Sequence, residues 1–179
     1  PFTLIGATTK AGMVSSPLSS RFGINLRFGF YGTEELVAIV RRSSRILGAE
    51  VDPDAAARLA ASSRGTPRVV NRLLRRMRDY AQVLGDGRVT LAVVEEGLAR
   101  LEVDAYGLER HDRDVLEAII GKYAGGPVGA ETLAISVGES IETLEDYVEP
   151  YLIQAGFLQR TPRGRVATRL AWTHLGFKP

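Results

Sequence analysis

Residues 149–165 read EPYLIQAGFLQRTPRGR, and this stretch decides how the C-terminal part of the chain folds. Its first half continues an apolar helical pattern that we expect to span residues 141–155. Its second half contains residues 161–164, Thr-Pro-Arg-Gly, in which Pro and Gly take the places that a type I turn favours. The stretch therefore predicts a helix followed by a β-hairpin with an arginine at its tip.

Two further helices are predicted upstream, at residues 111–123 and 131–137. Both have apolar side chains at helical spacing, and a Gly-Gly-Pro run separates them. Three helices followed by a hairpin are the order of a winged-helix domain, and such domains usually bind DNA. We therefore predict a winged-helix DNA-binding unit over residues 108–179.

Four more helices have start signals before this unit. Thr33, Asp52 and Thr66 suit N-cap positions because their side chains can accept backbone N–H groups, and the fourth helix follows a Gly-Asp-Gly turn at residues 85–87. We expect these helices to form a compact four-helix unit within residues 34–104. Their predicted spans are 33–48, 54–63, 67–84 and 90–101.

Residues 1–33 have a different pattern from the rest of the chain. Two apolar runs, residues 1–9 and 23–30, predict β-strands, and residues 17–21 predict a short helical turn. No turn precedes the first run, so we expect it to belong to a larger sheet. The predicted fold class is mainly α, with the remnant of an α/β domain ahead of the two helical units.

Composition excludes some classes of function. The chain has no cysteine, and only His111 and His174 could act as non-carboxylate metal ligands, so we expect no metal site. The net charge is only +2, but residues 157–179 contain five basic side chains and no acid, which favours a nucleic-acid partner there. The chain has no long apolar run, and we expect a cytoplasmic protein.

Three short motifs could bind phosphate. Thr8 and Thr9 follow an apolar run, Arg21 follows a Ser-rich turn, and Arg68 lies in the first turn of a predicted helix. Hydroxyls at strand ends can orient water, and arginines at such positions can bind phosphate oxygens. Each motif alone is equally compatible with ordinary surface residues, but all three in this order form a more specific pattern.

This order resembles sensor 1, the arginine finger and sensor 2 of AAA+ ATPases, followed by their helical lid and a winged helix. The chain also resembles one AAA+ family, the RuvB branch-migration motors, over essentially its whole length. The strings that carry this resemblance are residues 4–10, 16–24, 64–78 and 149–165.

The resemblance implies roles for individual residues toward ATP or ADP with Mg²⁺. Thr9 would be sensor 1, and Arg21 would reach the nucleotide of the adjacent subunit. Arg68 would contact phosphate within its own subunit, and Tyr31 would line the adenine pocket. Residues 1–33 would then be the end of the large ATPase domain, and residues 34–104 the lid.

The resemblance also implies partners and a process. The family forms homohexamers that drive branch migration of Holliday junctions and duplex DNA in recombination, repair and the SOS response, together with RuvA and the RuvC resolvase. Arg160, Arg163 and Arg165 in the wing would contact the DNA backbone, although wing arginines are often merely solvated. Five acids in residues 139–149 disfavour insertion of the third helix into the major groove.

The chain departs from the family at one point. It contains no Gly-Lys-Thr loop and no acidic Walker B strand, so the Mg²⁺ ligands are absent and we expect no ATP hydrolysis by this chain alone. Two alternatives remain open: a clamp-loader or origin-loading AAA+ subunit, and a non-enzymatic winged-helix regulator. The regulator leaves Arg21 and Arg68 unexplained and predicts a basic third helix.

Overall fold

The computed structural model describes residues 1–8 and 10–178, so the sensor 1 candidate Thr9 lies outside the described residues. The fold is mainly helical, as predicted, with two small sheets. A 3₁₀ turn spans Ala11–Met13. The helices are α1 Ser16–Ser19, α2 Thr33–Leu47, α3 Pro53–Ala61, α4 Pro67–Leu84, α5 Leu91–Arg100, α6 Arg110–Tyr123, α7 Ala130–Val137, α8 Ile141–Thr143, α9 Glu149–Gln154 and α10 Arg169–His174. The strands are β1 Glu50–Val51, β2 Arg88–Val89, β3 Leu158–Thr161 and β4 Gly164–Ala167.

Helices α2 to α5 form one unit around a hydrophobic core. Strands β1 and β2, which were not predicted, pair in parallel and tie the end of α2 to the start of α5. The amphipathic faces of the four helices meet because their apolar residues recur at helical spacing. The largest fully buried side chains of this core are Leu36, Leu59, Leu73, Leu74, Met77 and Leu98.

Two helix starts in this unit differ from the prediction by one residue. Thr33 is the first residue of α2 and not its N-cap; Gly32 takes that place, and its N–H donates to Glu35 Oε2 at 2.8 Å. The prediction is wrong because Glu35 lies three residues after Gly32, where its carboxylate can accept from the N-cap N–H, so the capping box begins at Gly32 and not at Thr33. Thr90, predicted as the first residue of the fourth helix, is instead the N-cap of α5, where its hydroxyl accepts from Val93 N–H at 3.3 Å.

The second unit is built from α6 to α10 and the β3–β4 hairpin. Its core is separate from the first, and Phe157 is its largest fully buried side chain. Residue Val128 forms an isolated antiparallel bridge to Arg165, so it acts as a third strand beside the hairpin. The predicted order of three helices and a hairpin is confirmed, whereas α10 was not predicted.

The third helix of this unit is interrupted rather than regular. A π-helical segment, Leu144–Val148, lies between α8 and α9. Pro150 explains the interruption, since it has no N–H to donate to the carbonyl of Asp146 and its ring crowds the preceding turn. The predicted span of 141–155 is therefore right in extent and wrong in regularity.

Residues 1–8 and 10–30 contain no β-strand, so the two predicted strands are wrong within the described residues. Their apolar side chains are largely exposed: Ile5 is 87% and Phe28 is 85% accessible. A strand needs a neighbour for its backbone N–H and C=O groups, and these segments have none here. In the described part of the chain, no helix is both long enough and apolar enough to cross a membrane.

Gly164 in the wing should not tolerate a side chain. Its φ is +134°, and an added Cβ would lie 2.3 Å from the carbonyl oxygen of Val128. We predict that Gly164→Ala lowers the free energy of unfolding by about 3 kcal/mol in urea denaturation, through backbone strain and overpacking. The control is Gly121→Ala in α6, where the added Cβ meets open space and should stabilise the helix by up to about 1 kcal/mol. Equal effects of the two substitutions would contradict this account of the wing.

Candidate DNA-binding wing and nucleotide-facing segment

The wing is a short hairpin with only Pro162 and Arg163 between its paired strands. Thr161 pairs with Gly164, and Arg160 pairs with Arg165 directly across the hairpin. Thr161 Oγ1 also donates to Gly164 O at 2.8 Å, which closes the turn. Arg163 therefore lies at an exposed tip whose backbone is fixed on both sides.

Arg165 is not on the DNA-accessible surface expected for it. Its side chain is only 8% exposed, and its guanidinium bonds Glu149 Oε1 through Nε and Glu145 Oε1 through Nη2, each at 2.6 Å. Glu149 is itself 1% exposed. Burial favours the neutral form of Arg165, but the two carboxylates outweigh it and raise the pKa of the guanidinium. The position expected to contact DNA is thus an internal ion pair.

Arg160 shares the same acidic partners at the surface. Its Nη2 lies 3.0 Å from Glu145 Oε1, and its side chain is 56% exposed. Cross-strand pairing places it on the same face as Arg165, toward the third helix. Of the five acids expected to repel DNA, Glu145 and Glu149 therefore neutralise wing arginines. Asp146 is paired with Lys10 at 2.9 Å, but this contact is exposed.

Arg163 remains as the wing arginine directed at solvent. Among residues 1–8 and 10–178 it forms no ion pair. Arg169 and Lys178 are also exposed and lie further along the chain. The wing thus offers the exposed guanidinium of Arg163 at its tip, and Arg160 is partly available beside Glu145.

The nucleotide-facing candidates Tyr31 and Arg68 lie near one segment, residues 64–68. Tyr31 N–H donates to Gly65 O at 2.9 Å, and Phe30 packs against Gly65, whose φ of +65° suits glycine. Arg68 is exposed in the first turn of α4, where helix N–H groups favour phosphate. The structure therefore brings the base-side and phosphate-side candidates to the same part of the lid.

The remaining candidates lie in the exposed N-terminal segment. Thr8 Oγ1 accepts from Lys10 N–H at 3.0 Å, so this hydroxyl has a local partner. Arg21 follows Ser20, the C-cap of α1, and its backbone N–H donates to Leu18 O at 3.1 Å. Its exposed side chain is available to another molecule, as a residue acting on a neighbouring subunit requires.

Sequence reasoning missed a buried contact between the two units. Arg64 of the four-helix unit is 6% exposed, and its Nη2 lies 3.0 Å from Oδ1 of Asp112 in the winged-helix unit. Burial raises the pKa of the Asp112 carboxyl, and the Arg64 guanidinium opposes that rise. The only available signal was the Glu109–Asp112 spacing at a helix start, which indicates a helix cap and not its partner across the domains.

The described residues contain no cluster of three or more His, Asp or Glu side chains that could hold a metal ion.

A four-helix lid that follows an ATPase-derived segment and precedes a winged helix in the chain defines the class of the chain as part of an AAA+ protein. Family comparison agrees: residues 31–104 match the RuvB AAA lid domain and residues 105–176 the RuvB C-terminal winged helix domain. Residues 1–28 match the Holliday junction DNA helicase RuvB P-loop domain. The chain belongs to the RuvB family.

Individual relatives are similar along the whole chain. The Holliday junction branch migration complex subunit RuvB of Treponema denticola is 63% identical over 179 residues, which cover 100% of this chain and 52% of the relative. That of Treponema pallidum is 65% identical, covering 98% of this chain and 50% of the relative. The chain thus spans about half the length of the curated relatives it matches. A solved Thermotoga maritima RuvB Holliday junction branch migration motor is 46% identical with a TM-score of 0.94, covering 100% of this chain and 60% of that one.

The buried and the exposed wing arginines should differ in their effect on stability. We predict that Arg165→Met lowers the free energy of unfolding by about 3–5 kcal/mol, because it removes the 2.6 Å partner of the buried Glu149 carboxylate and leaves only Arg160 at 4.0 Å. Arg163→Met should change it by less than about 0.5 kcal/mol, because its side chain is solvated. Urea denaturation of both variants measures the difference, and similar small losses would show that the Arg165 pair is not buried in solution.

Proposed function

We propose that this chain is the C-terminal part of an ATP-driven DNA motor that promotes branch migration of Holliday junctions. The observation that carries the proposal is the unbroken order of RuvB-family segments along the chain, ending in a wing with an exposed arginine at its tip. The named function of the relatives supports the same activity. The remaining half of such a motor would supply the P-loop and the Mg²⁺ ligands.

The wing would hold DNA through its sugar-phosphate backbone. Arg163 makes the principal phosphate contact, because it is exposed and fixed on a short turn, and Arg160 contributes by exchanging Glu145 for a phosphate. Arg165 anchors the hairpin to the third helix through Glu145 and Glu149, and it does not make the direct DNA contact that the sequence predicted. Glu142 and Asp146 remain exposed on that helix and disfavour its entry into a groove. Backbone contact without base reading suits a motor that moves along any sequence.

The nucleotide would be read by residues on two subunits. Tyr31 and Arg68 act in their own subunit, on the base side and the phosphate side, and Thr9 acts as sensor 1. Arg21 acts on the nucleotide of the adjacent subunit, since a guanidinium stays charged and its planar fork fits phosphate oxygens. ATP with Mg²⁺ supplies the energy when bound by the P-loop domain.

This assignment implies an assembly and a compartment. We propose a homohexameric ring that works in the cytoplasm on junctions bound by RuvA, in concert with the RuvC resolvase. The three parts would be the end of the ATPase domain at residues 1–33, the lid at 34–104 and the DNA-binding unit at 108–179. The named complex of the relatives supports the RuvA and DNA partners.

The DNA contact is tested by salt-dependent binding of this chain to duplex and four-way-junction DNA. We expect binding without sequence preference, and Arg163→Ala should reduce the slope of log K against log salt by about 0.9, the value for one phosphate contact. Arg160→Ala should have a smaller effect because Glu145 competes for its charge. The control is Arg110→Ala, another exposed arginine of the same unit, which should leave the slope unchanged. An unchanged slope for Arg163→Ala would remove the wing tip from the DNA interface.

The subunit assignment of Arg21 is tested in a protein in which this chain follows its P-loop domain. Arg21→Ala should lower the ATPase rate about 10³-fold, as expected for an arginine finger, while nucleotide binding stays within about threefold. Mixing this variant with a second one that lacks the P-loop lysine should restore part of the activity, because each supplies what its neighbour lacks. Absence of any restored activity would place Arg21 in its own subunit's site or outside the reaction.

A further inference from the structure

Arg64 is a lid residue whose side chain is enclosed by the winged-helix unit. It follows α3, and its guanidinium pairs with Asp112 at 3.0 Å, both side chains being nearly inaccessible. The same guanidinium lies 4.4 Å from the ring centroid of Tyr151 and 5.5 Å from that of Tyr147. An arginine favours such a site because it stacks on aromatic rings while its N–H groups bind a carboxylate.

A second, more exposed contact joins the same two surfaces. Arg72 Nη2 in α4 lies 2.6 Å from Oε1 of Glu109, the N-cap of α6. Glu109 and Asp112 belong to one helix cap, in which the Glu109 N–H donates to Asp112 Oδ2 at 2.7 Å. Two lid arginines thus hold the start of one helix of the winged-helix unit.

These two arginines flank the nucleotide-facing candidate Arg68, each at a distance of four residues along the chain. The backbone of Arg64 has φ +57°, a left-handed conformation that non-glycine residues adopt only at a cost. Gly65, next in the chain, accepts from the Tyr31 N–H and packs against Phe30. One short segment therefore contacts the nucleotide-facing residues on one side and the winged-helix unit on the other.

The connection between the two units does not provide an obvious hinge. Asp104 Oδ1 accepts from the N–H groups of Tyr106 and Leu108, and its Oδ2 lies 2.7 Å from His174 Nε2. Arg113 Nη1 donates to the carbonyls of Glu102 and Leu108. The connecting residues are therefore bonded to the winged-helix unit along most of their length.

We propose that Arg64 is a positioning residue that fixes the winged-helix unit to the lid, so that a nucleotide-dependent movement of the lid carries the DNA-contacting wing with it. The proposal rests on the function proposed above and adds to it the route from nucleotide to DNA. In this proposal the lid and the winged-helix unit move together as one rigid body. The lock between them is defined as the Arg64–Asp112 ion pair together with the rings of Tyr147 and Tyr151.

The lock is tested by measuring the distance between the two units in this chain. The chain has no cysteine, so cysteines introduced at the exposed positions Gln82 in the lid and Gln154 in the winged-helix unit can carry spin labels without background. The test variant is R64M/D112N, which removes both charges, leaves no orphaned carboxylate and keeps an acceptor for the helix cap. The control is R58M/E95Q, which removes an ion pair of 2.7 Å within the lid.

We expect a single narrow distribution of the distance between the two spin labels in the parent and control proteins. The distribution for R64M/D112N should be about twice as broad or bimodal, since small changes at an interface shift the equilibrium between placements of the two units severalfold. Arg64→Lys in the parent, which keeps the charge and loses the planar stacking, should give an intermediate width. A narrow distribution in folded R64M/D112N would overturn the proposal. Circular dichroism of each variant confirms that both units remain folded.

Two further measurements separate this proposal from the proposed function. R64M/D112N should bind DNA within about twofold of the parent, because Arg64 is buried and its contacts with Asp112, Tyr147 and Tyr151 include no residue of the wing. In a protein that also carries the P-loop domain, the ATPase rate of R64M/D112N should stay within about threefold of the parent. Branch migration per ATP should fall about tenfold, a change within the range that typical coupling free energies produce. An unchanged yield per ATP would overturn the coupling alone, whereas failure of the parent protein to bind DNA would overturn the function.

Discussion

Arg64 of the lid and Asp112 of the winged-helix unit form an ion pair between the two units, and their side chains are only 6% and 1% exposed. Removing two charges from water is costly, and a buried pair is often no more stabilising than apolar residues of the same volume. Losing one partner is far more costly, because the other charge stays buried. The pair therefore contributes mainly to orientation: only a narrow range of placements of the winged-helix unit keeps both charges satisfied.

The same principle operates inside the winged-helix unit. Arg165 and Glu149 form a second buried pair that fixes the hairpin to the third helix. Arg165 counts toward the positive charge of the C-terminal segment but is consumed by its carboxylate partners, so that charge overstates what DNA could meet. The positive charge of this segment is thus divided between Arg165, which holds the fold, and exposed side chains such as Arg163 at the wing tip.

Sequence patterns predicted the features that depend on local physics. The span of α4 from Pro67 to Leu84 follows from apolar spacing and proline at the first helical position, and the wing follows from one Pro and one Gly. Features that depend on distant partners were not predictable: Arg165 resembles any exposed hairpin arginine until Glu149 is placed beside it. The strands expected in residues 1–30 failed for the same reason, since a strand is defined by its neighbour. Of the site candidates, Tyr31 is bonded to Gly65, three residues before Arg68, and no periodicity reveals the role of that glycine.

The short turn of the wing has a mechanical consequence for the position of Arg163. With two residues between strands anchored by Val128 and Arg165, the backbone beneath Arg163 has little slack. In the function proposed above, a displacement of the winged-helix unit would therefore reach Arg163 with little loss to bending of the hairpin.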